Sequence, residues 1–262
     1  MRVVIQENYE NMSKWAANYI AEKIKNHKED RPFVRGLPTG SSPIGVYKEL
    51  IKKNQAGEIT FKNVVTFNMD EYVGLPHEHD QSYWYFMHDN FFDHIDIPAE
   101  NIHILNGMAE DPVAECEHYE EMIASFGGID LFMGGIGVDG HLAFNEPFTS
   151  LTSRTGLRDL TTDTRIVNSR FFGNDPEKVP AQALSVGIGT VTDSKEVLVL
   201  INGHNKARAL AAVVEGNVSQ KWTCSALQMH NAAIIACDEA ACGELTVDTY
   251  KYFLDIERKE RL

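Results

Sequence analysis

Three ionisable side chains fall within eight positions of the stretch Gly134-Gly-Ile-Gly-Val-Asp-Gly-His-Leu-Ala-Phe-Asn-Glu-Pro147: Asp139, His141 and Glu146. An imidazole titrates near neutral pH, and carboxylates beside it fix its tautomer and favour its charged form. Such a group can take a proton from a hydroxyl and return it elsewhere. Glycines at 134, 135, 137 and 140 permit tight turns and close approach of a ligand. If the backbone is extended there, positions 139 and 141 share one side. The apolar run Ile129–Met133 before them reads as a buried strand, so the acids stand at a strand's carboxyl end, where open α/β sheets place ligands.

Three readings compete for this stretch. One is a structural glycine turn with a solvated histidine. Another is a nucleotide loop, because Gly135-Ile-Gly-Val-Asp-Gly140 matches G-x-G-x-x-G. The third is an acid/base site. A nucleotide loop requires a helix at the third glycine and an acid after the following strand. Here Pro147 follows within two turns and residues 149–164 lack helical periodicity. The acid/base reading is preferred.

Other segments carry chemistry of the same kind. The strand candidate Phe33–Leu37 leads into Pro38-Thr-Gly-Ser-Ser-Pro43 and then a helix over 44–54. Small hydroxyls and backbone N–H groups at a helix N-terminus suit an anion; they equally suit a capped turn. The G-K-[ST] ending of a P-loop is absent. The strand 61–69 ends in Asn68-Met-Asp-Glu-Tyr72, which places Asp70 at the same rim. Taken alone, Asp70 is more simply a turn cap. After the strand 197–201, Lys206 opens a helix running to about residue 215, where the helix dipole disfavours a cation; that cost favours a functional lysine. The loop His77-Glu-His-Asp80 reads as solvated and not as a metal site.

Composition narrows the classes. With 262 residues and 43% hydrophobic content, the chain supports one large α/β domain. A net charge of −14 argues against nucleic-acid or anionic-membrane partners. The four cysteines (116, 224, 237 and 242) have no C-x-x-C spacing, and no run could serve as a signal peptide or span a bilayer. A cytoplasmic protein with reduced thiols is expected.

The remaining elements are helices over 12–26, 83–92, 111–125 and 248–258, and strands over 3–5 and 232–237. Strand–helix alternation predicts a Rossmann-like open, mostly parallel sheet covered by helices on both faces. Residues 149–182 have few periodic apolar positions, hold Arg154, Arg158, Arg165 and Arg170, and read as an irregular lid or binding loop.

Taken together, Leu37-Pro-Thr-Gly40, Thr66-Phe-Asn-Met-Asp-Glu-Tyr-Val-Gly-Leu-Pro76, Phe132-Met-Gly-Gly135, Asp139-Gly-His141, Ala143-Phe-Asn-Glu-Pro147 and Asn168-Ser-Arg-Phe-Phe172 resemble the glucosamine-6-phosphate deaminase family across essentially the whole chain. The resemblance implies a single sugar-phosphate deaminase/isomerase domain over 1–262, with no organic cofactor and no metal. Its reaction would turn glucosamine 6-phosphate and water into fructose 6-phosphate and ammonia. By position, Asp70 would move a proton from C2 to C1, and His141, assisted by Asp139 and Glu146, would open the sugar ring. Thr39, Gly40, Ser41, Ser42, Gly135, Arg170 and Lys206 match substrate-binding positions; Ser41 stands where many members have glycine.

A C-terminal helix such as 248–260 resembles the interface helix of longer, hexameric members, so a homo-oligomer is expected. Those members are often activated by N-acetylglucosamine 6-phosphate, at positions matching Thr149, Ser150, Gly156, Arg158, Asp159 and Tyr252. Gly156 replaces an expected basic residue and Asp159 an expected hydroxyl. Both departures predict weakened or absent activation. A 6-phosphogluconolactonase-like hydrolase and a non-catalytic sugar-phosphate sensor are the alternatives. Asp70 with the His141 cluster favours the deaminase. A sensor would need a DNA-binding segment ahead of the sheet, and here the first strand begins at residue 3.

Overall fold

The computed structural model describes residues 1–262. In chain order the elements are β1 (Arg2–Gln6), α1 (Tyr9–Asn26), β2 (Phe33–Leu37), α2 (Ile44–Gln55), β3 (Val64–Asn68), β4 (Asp70–Tyr72), α3 (Tyr83–Asn90), β5 (Ile102–His103), α4 (Pro112–Ser125) and β6 (Leu131–Gly135). They continue through β7 (Gly156–Asp159), α5 (Thr162–Asn168), β8 (Gln182–Ser185), α6 (Ile188–Thr192), β9 (Glu196–Ile201), α7 (Ala207–Val214), β10 (Ala233–Asp238) and α8 (Val247–Ile256). Seven strands form a parallel sheet in the order β1-β10-β9-β6-β2-β3-β5. No helix is long and apolar enough to cross a membrane.

The central strands are apolar on both faces because helices cover both, as a parallel sheet requires. In β2, Phe33 and Leu37 enter one core with Trp15, Tyr47 and Leu50, while Val34 enters the other with Phe67, Phe132 and Val199. Gly36 between them must lack a side chain: a Cβ there would lie 2.3 Å from the Phe132 ring.

The strand order has one consequence for function. From β2 the chain moves to β3 and β5 on one side; from β6 it moves to β9 and β10 on the other. The loops leaving β2 and β6 therefore diverge and open a crevice at the carboxyl ends, the position at which open α/β sheets bind ligands.

Several boundaries differ from the sequence expectations. Helix α1 starts three residues earlier than position 12, because the Asn8 side chain accepts from Asn11 N (2.9 Å) and caps it. Phe61 to Asn63 precede β3 as a turn, and β3 itself ends at Asn68. Met69 then bends the chain into a second, antiparallel sheet ordered β4-β8-β7, with Asp70 opposite Ser185. The segment 149–182 is not irregular: it holds β7 and α5, whose few residues are too short to show a period. The backbone at 139–141 is not extended but a tight turn. Gly140 N donates to Gly137 O (3.1 Å) and Gly137 N to His141 O (2.9 Å), with Gly140 at φ +76°.

Candidate active site

The crevice holds a cavity of about 420 Å³, a volume suited to a small ligand. Its walls come from the 38–43 loop after β2, Met69 to Tyr72, the turn after β6, part of α5 with the Arg170–Phe172 corner, and the 202–206 loop after β9. All the segments singled out for chemistry thus meet in one cleft. Glu146 is the exception: it lies behind His141 and does not itself line the cavity.

The turn after β6 brings Asp139 Oδ1 within 2.8 Å of His141 Nδ1, and Glu146 Oε2 within 3.9 Å of the same nitrogen. The first is out of line for a hydrogen bond and the second is too long for one. The close approach depends on Gly137, where a Cβ would lie 2.5 Å from both Asp139 Oδ1 and the imidazole. Burial alone would raise the Asp139 pKa, but contact with His141 outweighs it and holds that carboxyl below its ordinary value. The other Glu146 oxygen accepts from Thr164 Oγ1 (2.5 Å) and Thr161 Oγ1 (3.1 Å), which fixes the side chain. The three ligand atoms, all within 4.8 Å of one another, could in principle hold a metal. Two ligands on one zinc ion would stand about 3.3 Å apart, wider than the Asp139–His141 contact. The Asp139–His141 pair is packed more tightly than two ligands of one cation would be.

Asp70 lines the same cavity but makes neither an ion pair nor a hydrogen bond with His141. The bend at Met69 is pinned on both sides: Met69 N donates to Leu37 O (2.9 Å) and Val186 N to Met69 O (2.8 Å). Asp70 is buried, and its Oδ1 has no hydrogen-bond partner. Burial, with a contribution from Glu71, pushes its pKa well above the carboxylate range. A turn cap would have its oxygens engaged; this carboxylate is unengaged and high in proton affinity, as a general base requires.

Lys206 and Arg170 bring positive charge to the cleft. Lys206 Nζ donates to Ile136 O (2.7 Å), and burial lowers its pKa to about 8, with Asp139 opposing and Arg170 adding to the shift. Lys206 is the last residue of a short 3-10 turn, His204–Lys206, and the N-cap of α7 instead of lying inside it. The Arg170 guanidinium lies 4.6 Å from the Phe171 ring centroid. In the 38–43 loop, Gly40 adopts φ +91°. Helix α2 has Pro43 as its N-cap and no side-chain cap, so Ser41 and Ser42 do not cap it. Tyr9 OH serves Gly45 N instead (2.8 Å), and Ser42 Oγ donates to Asn202 Oδ1 (2.6 Å). Gly135, at the end of β6, completes this rim.

The residues matched to an activator site are not gathered within the chain. Thr149 and Ser150 lie in the turn before β7. Gly156, Arg158 and Asp159 lie on β7, which pairs with β8. Arg158 is engaged by Arg154 O (2.6 Å) and Asn145 Oδ1 (3.3 Å), and Asp159 Oδ1 accepts from Gln182 Nε2 (2.9 Å). Tyr252 is exposed on α8, which packs against β1 at the far edge of the main sheet.

Sequence reasoning missed several lining residues: Tyr72, Tyr83, Asn168, Asn202 and Asn205. An aromatic-rich helix such as 83–92 does not reveal which face meets a cavity, so Tyr83 carried no signal. The Asn202 side chain facing Ser42 had no local signal, since the two are far apart in sequence.

A family model described as glucosamine-6-phosphate isomerases/6-phosphogluconolactonase matches residues 7–236. A glucosamine-6-phosphate deaminase of Phocaeicola vulgatus is 64% identical over 260 residues, covering 98% of this chain and 99% of the relative. One from Treponema denticola is 61% identical over 260 residues, covering 98% and 96%. Among solved structures, a monomeric glucosamine-6-phosphate deaminase superposes with a TM-score of 0.89 at 40% identity, covering 92% of this chain and 99% of that one. A 6-phosphogluconolactonase from Trypanosoma cruzi superposes with a TM-score of 0.73 at 17% identity, covering 94% and 97%, a likeness of fold alone. The chain belongs to the glucosamine-6-phosphate isomerase/6-phosphogluconolactonase family.

Proposed function

We propose that the chain converts glucosamine 6-phosphate and water into fructose 6-phosphate and ammonia, in amino-sugar breakdown, and that the cleft is where it does so. The activity is that of the relatives over nearly the full length of the chain. The single observation that carries the site is Asp70, a buried carboxylate with an unpartnered oxygen on the cleft wall.

In this reading His141, with Asp139 and Glu146 beside it, takes the proton of the C1 hydroxyl and delivers one to the ring oxygen, leaving an open-chain aldehyde. Asp70 then removes the proton from C2 while the substrate's own ammonium group passes one to O1, leaving an enolamine; Asp70 returns its proton to C1, so C2 becomes an iminium carbon. Water adds at C2 and ammonia leaves, giving the ketone. One carboxylate reaching two adjacent carbons suffices for the shift. Lys206, Arg170 and the Thr39–Ser42 loop hold the remote phosphate; its binding energy fixes the open chain against Asp70. Residues 149–182, whose α5 end lines the cleft, act as a lid. The enzyme works without metal or organic cofactor in the cytoplasm, where four unpaired cysteines remain reduced.

Ammonia release from glucosamine 6-phosphate tests the activity. Turnover of 6-phosphogluconolactone without ammonia release from the amino sugar would overturn it in favour of the hydrolase.

We also read α8 as a contact between copies in a hexamer, since Val247, Tyr252 and Ile256 are exposed on it. Such assembly is what could bring Tyr252 of one copy to β7 of another. With Gly156 supplying no cation and Asp159 adding a negative charge, activation by N-acetylglucosamine 6-phosphate is expected to be weak or absent. Rate curves against substrate should barely move on adding it. A strong leftward shift would refute this reading, and a monomer mass by light scattering would remove the hexamer.

A further inference from the structure

Glu71 lies next to the proposed base and is almost fully buried, yet nothing in the reaction described above uses it. Its side chain joins β4 to α3. Oε1 accepts from Tyr72 N (2.8 Å) and Tyr83 N (2.9 Å), and Oε2 accepts from Trp84 N (2.9 Å). Ser82 Oγ takes the next N–H of the helix, that of Tyr85 (3.0 Å). The first three N–H groups of α3 are therefore all engaged, two of them by one carboxylate from another element. A helix N-terminus favours negative charge, so this arrangement suits the ionised form.

The helix so anchored carries Tyr83 onto the cleft wall. Its ring is tilted against Tyr72 (centroids 4.9 Å) and parallel to Phe144 (6.2 Å), and its hydroxyl lies beside Thr39. Tyr83 thereby spans from the region of Asp70 to the loop proposed to hold phosphate.

Besides Glu71, the titratable groups packed around Asp70 are phenols: Tyr47 on α2, Tyr72 on β4, Tyr83 on α3 and Tyr119 on α4; Asp139, His141, Arg170 and Lys206 line the same cleft. Burial raises the pKa of each phenol, to about 12 for Tyr72, so all four are neutral at working pH. Glu71 is the neighbour that brings charge to Asp70. Burial also raises its own pKa, to about 7, against the pull of its three N–H donors.

We propose that Glu71 is a positioning residue for this reaction, with two separable effects: its reach fixes α3 and Tyr83 against the cleft, and its charge strengthens Asp70 as a base. The second effect rests on Asp70 being the base. Like charges on consecutive buried residues disfavour ionisation of the pair, which raises the proton affinity of Asp70. The site gains a stronger base and loses activity sooner on acidification.

Two substitutions separate the effects. Glu71→Gln removes the charge and retains one acceptor oxygen. The acid limb of kcat/KM is expected to move down by about one pH unit, the lower end of what a neighbouring charge does to a carboxyl. Glu71→Asp keeps the charge but draws back from the α3 N–H groups. Its acid limb should stay near that of the wild type, while KM rises several-fold with kcat little changed. Thermal melts of both variants confirm folding. An unmoved acid limb in Glu71→Gln, or a Glu71→Asp enzyme with wild-type KM, overturns the proposal. Failure of the underlying base assignment is distinct: it would appear as near-normal turnover in Asp70→Asn, whatever Glu71 does.

Discussion

Asp70→Asn is expected to lower kcat by about 10²- to 10⁴-fold, the usual contribution of a positioned general base, while glucosamine 6-phosphate still binds. The amide has the shape of the carboxylate but cannot take the C2 proton. The same substitution should stabilise the fold at neutral and alkaline pH. The folded-state pKa of Asp70 is raised, so ionising it within the fold carries a free-energy cost that the unfolded chain does not bear. That cost is fully present above the folded pKa and fades as pH falls toward the unfolded value of about 4. Melting curves of the variant should therefore lie above wild type at pH 8 and converge with it near pH 4. A variant that loses activity and also melts lower at pH 8 would mean that Asp70 is a structural cap after all. Stability sacrificed for a poised group is a common property of active sites.

Lys206→Met should raise KM by about ten- to a hundredfold with a smaller effect on kcat, the size of a lost charge-assisted contact of about 1.5–3 kcal/mol. The lysine also predicts a pH signature. Its pKa is lowered to about 8, so the free enzyme loses this cation as pH rises through that value. KM should climb above about pH 8 in the wild type, and Lys206→Arg, which stays charged, should flatten the rise. In stability the sign is opposite to that of a salt-bridged lysine. Charge on the folded-state lysine is penalised below about pH 8, and the penalty fades as pH rises to the unfolded value of about 10.4. Lys206→Met should thus melt higher than wild type at pH 7. A fall in kcat alone, with KM unchanged at every pH, would contradict a phosphate role.

Much of this site was legible because its parts sit at strand ends. The apolar runs before Leu37, Asn68 and Gly135 marked β2, β3 and β6, and an open sheet of alternating strands and helices has its ligands at those ends. The glycines at 137 and 140 marked the turn on which Asp139 and His141 meet. What sequence could not supply was distance across the fold. An extended backbone at 139–141 would also have paired the acid with the histidine, so the right pair followed from the wrong conformation. The short strands β4, β7 and β8 gave no period, and the second sheet that bends Asp70 into the cleft went unseen with them. Glu71 was passed over because three backbone N–H donors from a later helix leave no mark on the local sequence. Tyr83 carried no signal for a related reason: periodicity identifies an apolar face but not whether a core or a cavity lies behind it.

A structure of the wild-type enzyme with fructose 6-phosphate tests the central claim most directly. The expected result is one sugar in the crevice between the β2 and β6 loops, its phosphate within hydrogen-bond distance of Lys206 Nζ and the Thr39–Ser42 loop, and C1 and C2 facing the Asp70 carboxyl group with His141 near O1. A sugar bound with its phosphate at that corner but its first two carbons turned away from Asp70, or bound outside the crevice altogether, would contradict the account.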